Sequence, residues 1–210
     1  EQIRNLINKN YKEIVLTGVD LTSYGHDLDD KISLGQLIKK ILNDAPELNR
    51  LRLSSLDVAE IDPDLFDVIE NESRLLPHIH LSLQAGDNMI LKRMKRRHSR
   101  DDSINLINKI RNLRPDVVFG SDFIAGFPTE TEEMFQNTIN LIKECNITFL
   151  HVFPFSPRKG TPAARMPQVK GDIIKKRAEV LRQLAKKQIT NYYKKLKDQK
   201  VSVIVESKNR

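Results

Sequence analysis

The chain has 210 residues, 39% of them hydrophobic, enough for one sizeable core and better suited to one domain with an appendage than to two. Apolar runs stop at about five or six residues, far short of the roughly 18 that span a bilayer, and no charged, apolar, small-residue succession opens the chain, so neither a membrane span nor a secretory signal is expected. A single cysteine, Cys145, excludes an internal disulfide framework and suits a reducing cytoplasm, while the formal charge of +7 favours an anionic partner.

Residues 1–10 read as a helix, and a helix feeding the β-branched run 13–18 implies a further strand upstream of Glu1. Four more such runs follow, at 50–54, 78–84, 117–125 and 147–153. Between them lie segments with apolar residues three or four apart, at 34–43, 62–71, 99–113 and 130–145, with helix starts at Asp62-Pro63 and Ser99. This alternation is the signature of a parallel sheet joined by helical crossovers, either a partial β/α barrel of six units lacking its first strand or a doubly wound sheet. In both, ligands sit beyond the carboxyl ends of the strands. From 171 to 197 the pattern becomes one long amphipathic helix with Ile174, Ala178, Leu181, Ala185, Ile189, Tyr192 and Leu196 on one face and a strongly basic opposite face. Residues 200–206 alternate as a strand would, without a partner strand after them.

Unusual residues gather after the apolar runs. The first ends Thr17-Gly18-Val19-Asp20, where glycine admits a ligand to the backbone or simply makes a βα turn. The third ends Ser82-Leu83-Gln84-Ala85-Gly86-Asp87, with Ser82 and Gln84 on one side of the strand. The run Lys92-Arg93-Met94-Lys95-Arg96-Arg97-His98 is too basic to be buried; it suits a carboxylate or phosphate, or is a solvated face. Asp122 interrupts an otherwise apolar strand and needs a partner, such as a ribose diol. The fifth run leads into a proline-pinned loop in which Phe153 and Phe155 flank a planar base or close the barrel. His78, His80 and His151 lack metal-ligand spacing and read as structural or loop histidines.

In this order, the stretches 13–25, 51–55, 80–87, 91–98 and 122–131 resemble the radical S-adenosylmethionine (SAM) superfamily, and within it the methylthiotransferases that modify tRNA or a ribosomal protein. Thr17-Gly18-Val19-Asp20-Leu21-Thr22-Ser23-Tyr24 is similar to the type acting on threonylcarbamoyladenosine. The resemblance implies a partial (β/α)6 barrel over residues 1–168, a basic helix over 169–198, and at 199–210 the start of a TRAM-like RNA-binding β domain. It implies that Gln84 and Arg96 contact the methionine part of SAM, that Asp122 takes the ribose hydroxyls, that Thr17, Gly18 and Ser82 lie at the cofactor's strand ends, and that Phe153 and Phe155 pack the adenine.

The same resemblance implies a [4Fe–4S] cluster held by a C-x-x-x-C-x-x-C loop, expected upstream of Glu1. Cys145 ends a helix away from the ligand face, and the 210 residues alone are expected to be inactive. The implied partners are tRNA, with Lys186, Lys187, Lys194 and Lys195 as backbone contacts, an electron donor and a sulfur source, all in the cytoplasm. Within enzymes the rival is another radical SAM reaction such as porphyrinogen oxidation, another methylthiotransferase included; outside them it is a SAM- or RNA-binding remnant without chemistry.

Overall fold

The computed structural model describes residues 1–205. Its elements are α1 (Gln2–Asn8), β1 (Ile14–Leu16), α2 (Leu34–Asp44), β2 (Leu51–Leu53), α3 (Pro63–Asn71), β3 (His78–Gln84), α4 (Asn88–Arg93), α5 (Arg100–Leu113), β4 (Val118–Ala125), α6 (Glu132–Glu144), β5 (Phe149–Pro154) and α7 (Gly171–Leu196). Helix starts follow side-chain chemistry. Ser33 and Ser99 build capping boxes with Gln36 and Asp102, Asp62 accepts from the Leu65 amide ahead of Pro63, and Asp87 accepts from Met89 and Ile90.

β1 pairs parallel with β2, and β3, β4 and β5 pair parallel in that order. Parallel bridges Leu51–Leu75 and Leu56–Leu81 join the two groups, so each strand neighbours the next in sequence. A doubly wound sheet reverses its strand order, and this one never does. The order decides for the partial barrel. β1 is shorter than the run 13–18 because Thr17 and Gly18 leave the ladder.

Period-two alternation divides the sheet. Leu51, Leu53, Ile79, Leu81, Leu83, Phe119 and Phe123 point toward the helices and join Ile38, Leu65, Ile107, Leu141 and Ile142 in one core. Phe119 and Phe123 are fully buried, and truncating either to alanine would cost about 3–5 kcal/mol. The other face carries Arg52, His78, His80, Ser82, Gln84, Asp122, Ile124, His151 and Phe153, none of them buried. This polar face holds the candidate site.

α7 packs along β5 through the apolar stripe read from the sequence, with Ala178 and Leu181 buried. One member of its basic set departs from expectation: Arg177 is buried, with Nη1 2.9 Å from Glu130 Oε2 and from the Glu130 carbonyl, and Nη2 3.1 Å from Glu132 Oε2. Burial pushes the Glu130 carboxyl upward against the opposing pull of the Gly126 amide and Arg177. Residues 201–205 carry no strand, and 206 lies outside the described residues.

Candidate cofactor site

At the carboxyl end of β3 the ladder shifts register between Leu81 and Gln84, and Gln84 adopts a left-handed backbone, φ 66°. Such a conformation is costly for a side-chain-bearing residue and persists only where its surroundings hold it. Here the turn is tied to α6: the Gly86 amide donates to Thr138 Oγ1 at 3.0 Å, and Asn137 Nδ2 donates to Asp87 Oδ2 at 2.9 Å. A Cβ on Gly86 would stand 2.6 Å from Thr138 Cα. The strand end is thereby fixed in one position, with Gln84 facing an open cleft.

That cleft, about 340 Å³, is bounded by Gln84, Arg93, Met94, Arg96, Ile124 and Phe127. Phe155 meets Phe127 edge-on at 5.3 Å and packs behind it. Arg96 Nη2 is held by the Ser82 carbonyl at 2.7 Å and Asp57 Oδ2 at 3.1 Å, but its Nε and Nη1 of Arg93 are buried without partners. Orphaned guanidinium donors beside an apolar slot suit a ligand that is anionic at one end and planar at the other. The run 92–98, expected to be too basic for burial, is therefore partly inside. His98 is buried and Arg96 is mostly covered, because the short helix α4, which the sequence reading did not separate, turns them under the β3 turn.

On the far side of Arg96 a second cavity of about 330 Å³ is lined by Val19, Asp20, Ser55, Asp57, Ser82 and Arg97, among others. Arg97 pairs with Glu60 and lies 3.7 Å from Asp57. Thr17 and Gly18 are exposed at the end of β1 and line neither cavity; Val19 and Asp20 stand there instead. Phe153 is 51% exposed, whereas Ile124 and Phe127, which the sequence reading did not select, form the apolar wall.

Asp122 lies two residues before Ile124 on the same face of β4. Its Oδ1 accepts from His80 Nε2 at 3.1 Å and from His151 Nδ1 at 3.2 Å. The His80 hydrogen bond, assisted by both imidazoles' charge, holds the Asp122 carboxyl below the usual carboxylate range. These donors lie within 4.8 Å of one another, a convergence that chain spacing did not reveal. Gly120 makes it possible, since a Cβ there would stand 2.9 Å from His80 Nδ1 and 3.2 Å from His78 Nε2.

Lys186, Lys187, Lys194 and Lys195 are exposed along α7, without ion pairs among the described residues. Cys145 is buried, and burial pushes its thiol up to about 11. No helix of the described residues is long and apolar enough to cross a membrane.

A sequential parallel half-barrel with a strand-end cleft of this composition is the scaffold of a SAM-binding radical enzyme, and the sequence pattern of the radical SAM superfamily matches residues 1–142. The chain belongs to that superfamily. It is 53% identical, over 99% of its length, to the threonylcarbamoyladenosine tRNA methylthiotransferase MtaB of Rickettsia prowazekii, covering 49% of that protein. It is 37% identical over 98% of its length to the tRNA-2-methylthio-N(6)-dimethylallyladenosine synthase of Neorickettsia sennetsu, covering 44% of it. The chain thus spans about half the length of the curated relatives it matches. Coproporphyrinogen III oxidase HemN of Escherichia coli shares the fold, with a TM-score of 0.64 at 15% identity over 84% of this chain and 40% of that one.

Proposed function

We propose that this chain is the SAM-binding barrel of a tRNA methylthiotransferase that modifies C2 of N6-threonylcarbamoyladenosine beside the anticodon, at position 37. The observation that carries the reading is the 53% identity across 99% of the chain to a relative bearing that activity in its name. The stretch Thr17 to Tyr24 favours this type over the dimethylallyladenosine type.

The residues present fit SAM. Arg96, whose Nε is buried without a partner, would grip the methionine carboxylate, and Gln84 would meet the amino-acid end. Ile124 and Phe127 would pack the adenine, with Phe155 behind and Phe153 at the rim. Asp122, with one oxygen occupied by two imidazoles, keeps the other free for the ribose hydroxyls. When bound, SAM supplies the methyl group and, on one-electron cleavage, the radical that activates the base. The residues present do not fit a [4Fe–4S] cluster, because the lone cysteine is buried on the helical side with its thiol protonated. The 210 residues by themselves are therefore expected not to cleave SAM.

The exposed lysines of α7 support tRNA backbone binding, and residues 169–198 and 199–210 read as a basic helix and the start of a TRAM-like domain. An electron donor, a sulfur source and a cytoplasmic setting belong to the same reading. The test is to give the intact protein tRNA, SAM, sulfide and reductant and to analyse nucleosides by mass spectrometry. A methylthio derivative of threonylcarbamoyladenosine is expected; its absence together with the methylthio derivative of isopentenyladenosine would transfer the chain to the other type.

A further inference from the structure

The polar face of the sheet continues below Asp122 toward the amino ends of the strands, where the reading above assigns no role. Arg50, Arg52, His78, Phe149, His151 and Tyr192 surround a cavity there of about 660 Å³. Its floor is cationic. Arg50 Nε lies 2.9 Å and Arg52 Nε 3.7 Å from the two oxygens of Glu13, so one carboxylate is shared between two guanidiniums. Arg52 Nη2 donates to His78 Nδ1 at 3.1 Å. Burial first, and then the charge of Arg52, lower the His78 imidazole to about 4, which leaves it a neutral acceptor at neutral pH and Arg52 with charge to spare. One wall is aromatic, with Phe149 edge-on to His78 at 5.4 Å and to Tyr192 at 5.8 Å.

The position matters as much as the charge. His78 lies one layer, two residues, below His80, a step of about 7 Å at the usual strand rise. From adenine C2 across N6 to the carboxylate oxygen of a threonylcarbamoyl group is roughly 6–10 Å by ordinary bond lengths. A base that presents C2 at the level of Asp122 therefore delivers that carboxylate to Arg52. A guanidinium fork is matched to a planar carboxylate, whereas an uncharged prenyl group would leave Arg52 with only its 3.7 Å approach to Glu13 and its bond to the neutral His78 ring.

We propose that this cavity receives the carboxylate-bearing N6 substituent of the target adenosine and that Arg52 is its specificity-determining residue. The proposal rests on the substrate reading given under Proposed function and goes further by naming the group recognised and the residue that recognises it.

The experiment measures binding to the intact, SAM-loaded protein of two anticodon stem-loop RNAs, one carrying threonylcarbamoyladenosine and one its methyl ester. The acid is expected to bind at least about tenfold more tightly than the ester, and Arg52→Gln to remove most of that gap. Equal binding of acid and ester by the wild-type protein overturns the proposal, and this comparison needs no variant. A gap that survives in a folded Arg52→Gln protein overturns it as well. Methylthiolation of acid and ester with equal kcat/KM removes this inference alone, whereas methylthiolation of an isopentenyladenosine stem-loop and of neither threonylcarbamoyl RNA removes the substrate reading and this inference with it.

Discussion

Asp122 of β4 stands directly across the ladder from His151 of β5, and the two are joined at 3.2 Å. With His80 on the same oxygen, the carboxylate is oriented and ionised well below neutral pH. Asp122→Asn keeps the shape and removes the charge. We expect it to weaken SAM binding by roughly tenfold or more, the range of a charged hydrogen-bond acceptor, in equilibrium dialysis of the intact protein; unchanged affinity would detach Asp122 from the ribose.

His78 is held neutral in the folded state, with its pKa lowered from 6.5 to about 4. The unfolded chain takes up a proton there in the window between those values and the folded chain does not. Its contribution is therefore fully present above pH 6.5 and lost as pH falls toward 4, amounting to about 3 kcal/mol at most. Urea unfolding at pH 7 and pH 5 should show a smaller difference in His78→Gln than in the wild type.

Gly86 has no room for a side chain, since the obstacles are the backbone of Asn137 and Thr138 rather than flexible groups. Gly86→Ala should cost about 1–3 kcal/mol from overpacking and, by shifting the turn that carries Gln84, should also weaken SAM binding. Calorimetry and dialysis read the two effects. A loss of stability with full SAM affinity would show that the turn does not position Gln84.

The buried Arg177–Glu130 pair fastens α7 to the loop after β4. Arg177→Met would leave Glu130 buried without its counter-charge and should cost about 3–5 kcal/mol, a fall of roughly 6–20 °C in Tm. The double replacement with Glu130→Gln should recover much of that loss. A single variant as stable as the wild type would contradict the burial of the pair.

Neutralising Lys186, Lys187, Lys194 and Lys195 together should lower tRNA affinity and flatten its dependence on salt, the log–log slope falling by up to about 3. An unchanged slope would remove α7 from the RNA interface.

The strands and their polar faces were legible because period two is a local property: Ser82 with Gln84, and Asp122 amid apolar neighbours, declare themselves in a few residues. Periodicity alone did not choose between barrel and doubly wound sheet, because bridges such as Leu56–Leu81 join residues far apart in sequence; the family resemblance chose the barrel, and the strand order agrees. The meeting of His80, Asp122 and His151 depends on the register of three strands and on the missing side chain of Gly120, neither of which spacing reveals. The burial of Arg177 within the basic helix α7 was not legible, since its partner Glu130 lies 47 positions away. Ile124 and Phe127 escaped notice because apolar residues at a strand end look like core until the cleft beside them is seen.

Arg96 is a partition between two cavities, and it has one guanidinium to give. Its Nη2 is held by Asp57 on one side while its Nε is free on the other, so a carboxylate in the strand-end cleft and Asp57 would share one positive charge. Occupation of one compartment thus changes the charge seen by the other. By reciprocity, any factor by which SAM changed the affinity of a ligand beside Asp20 and Asp57 would be the factor by which that ligand changed the affinity for SAM.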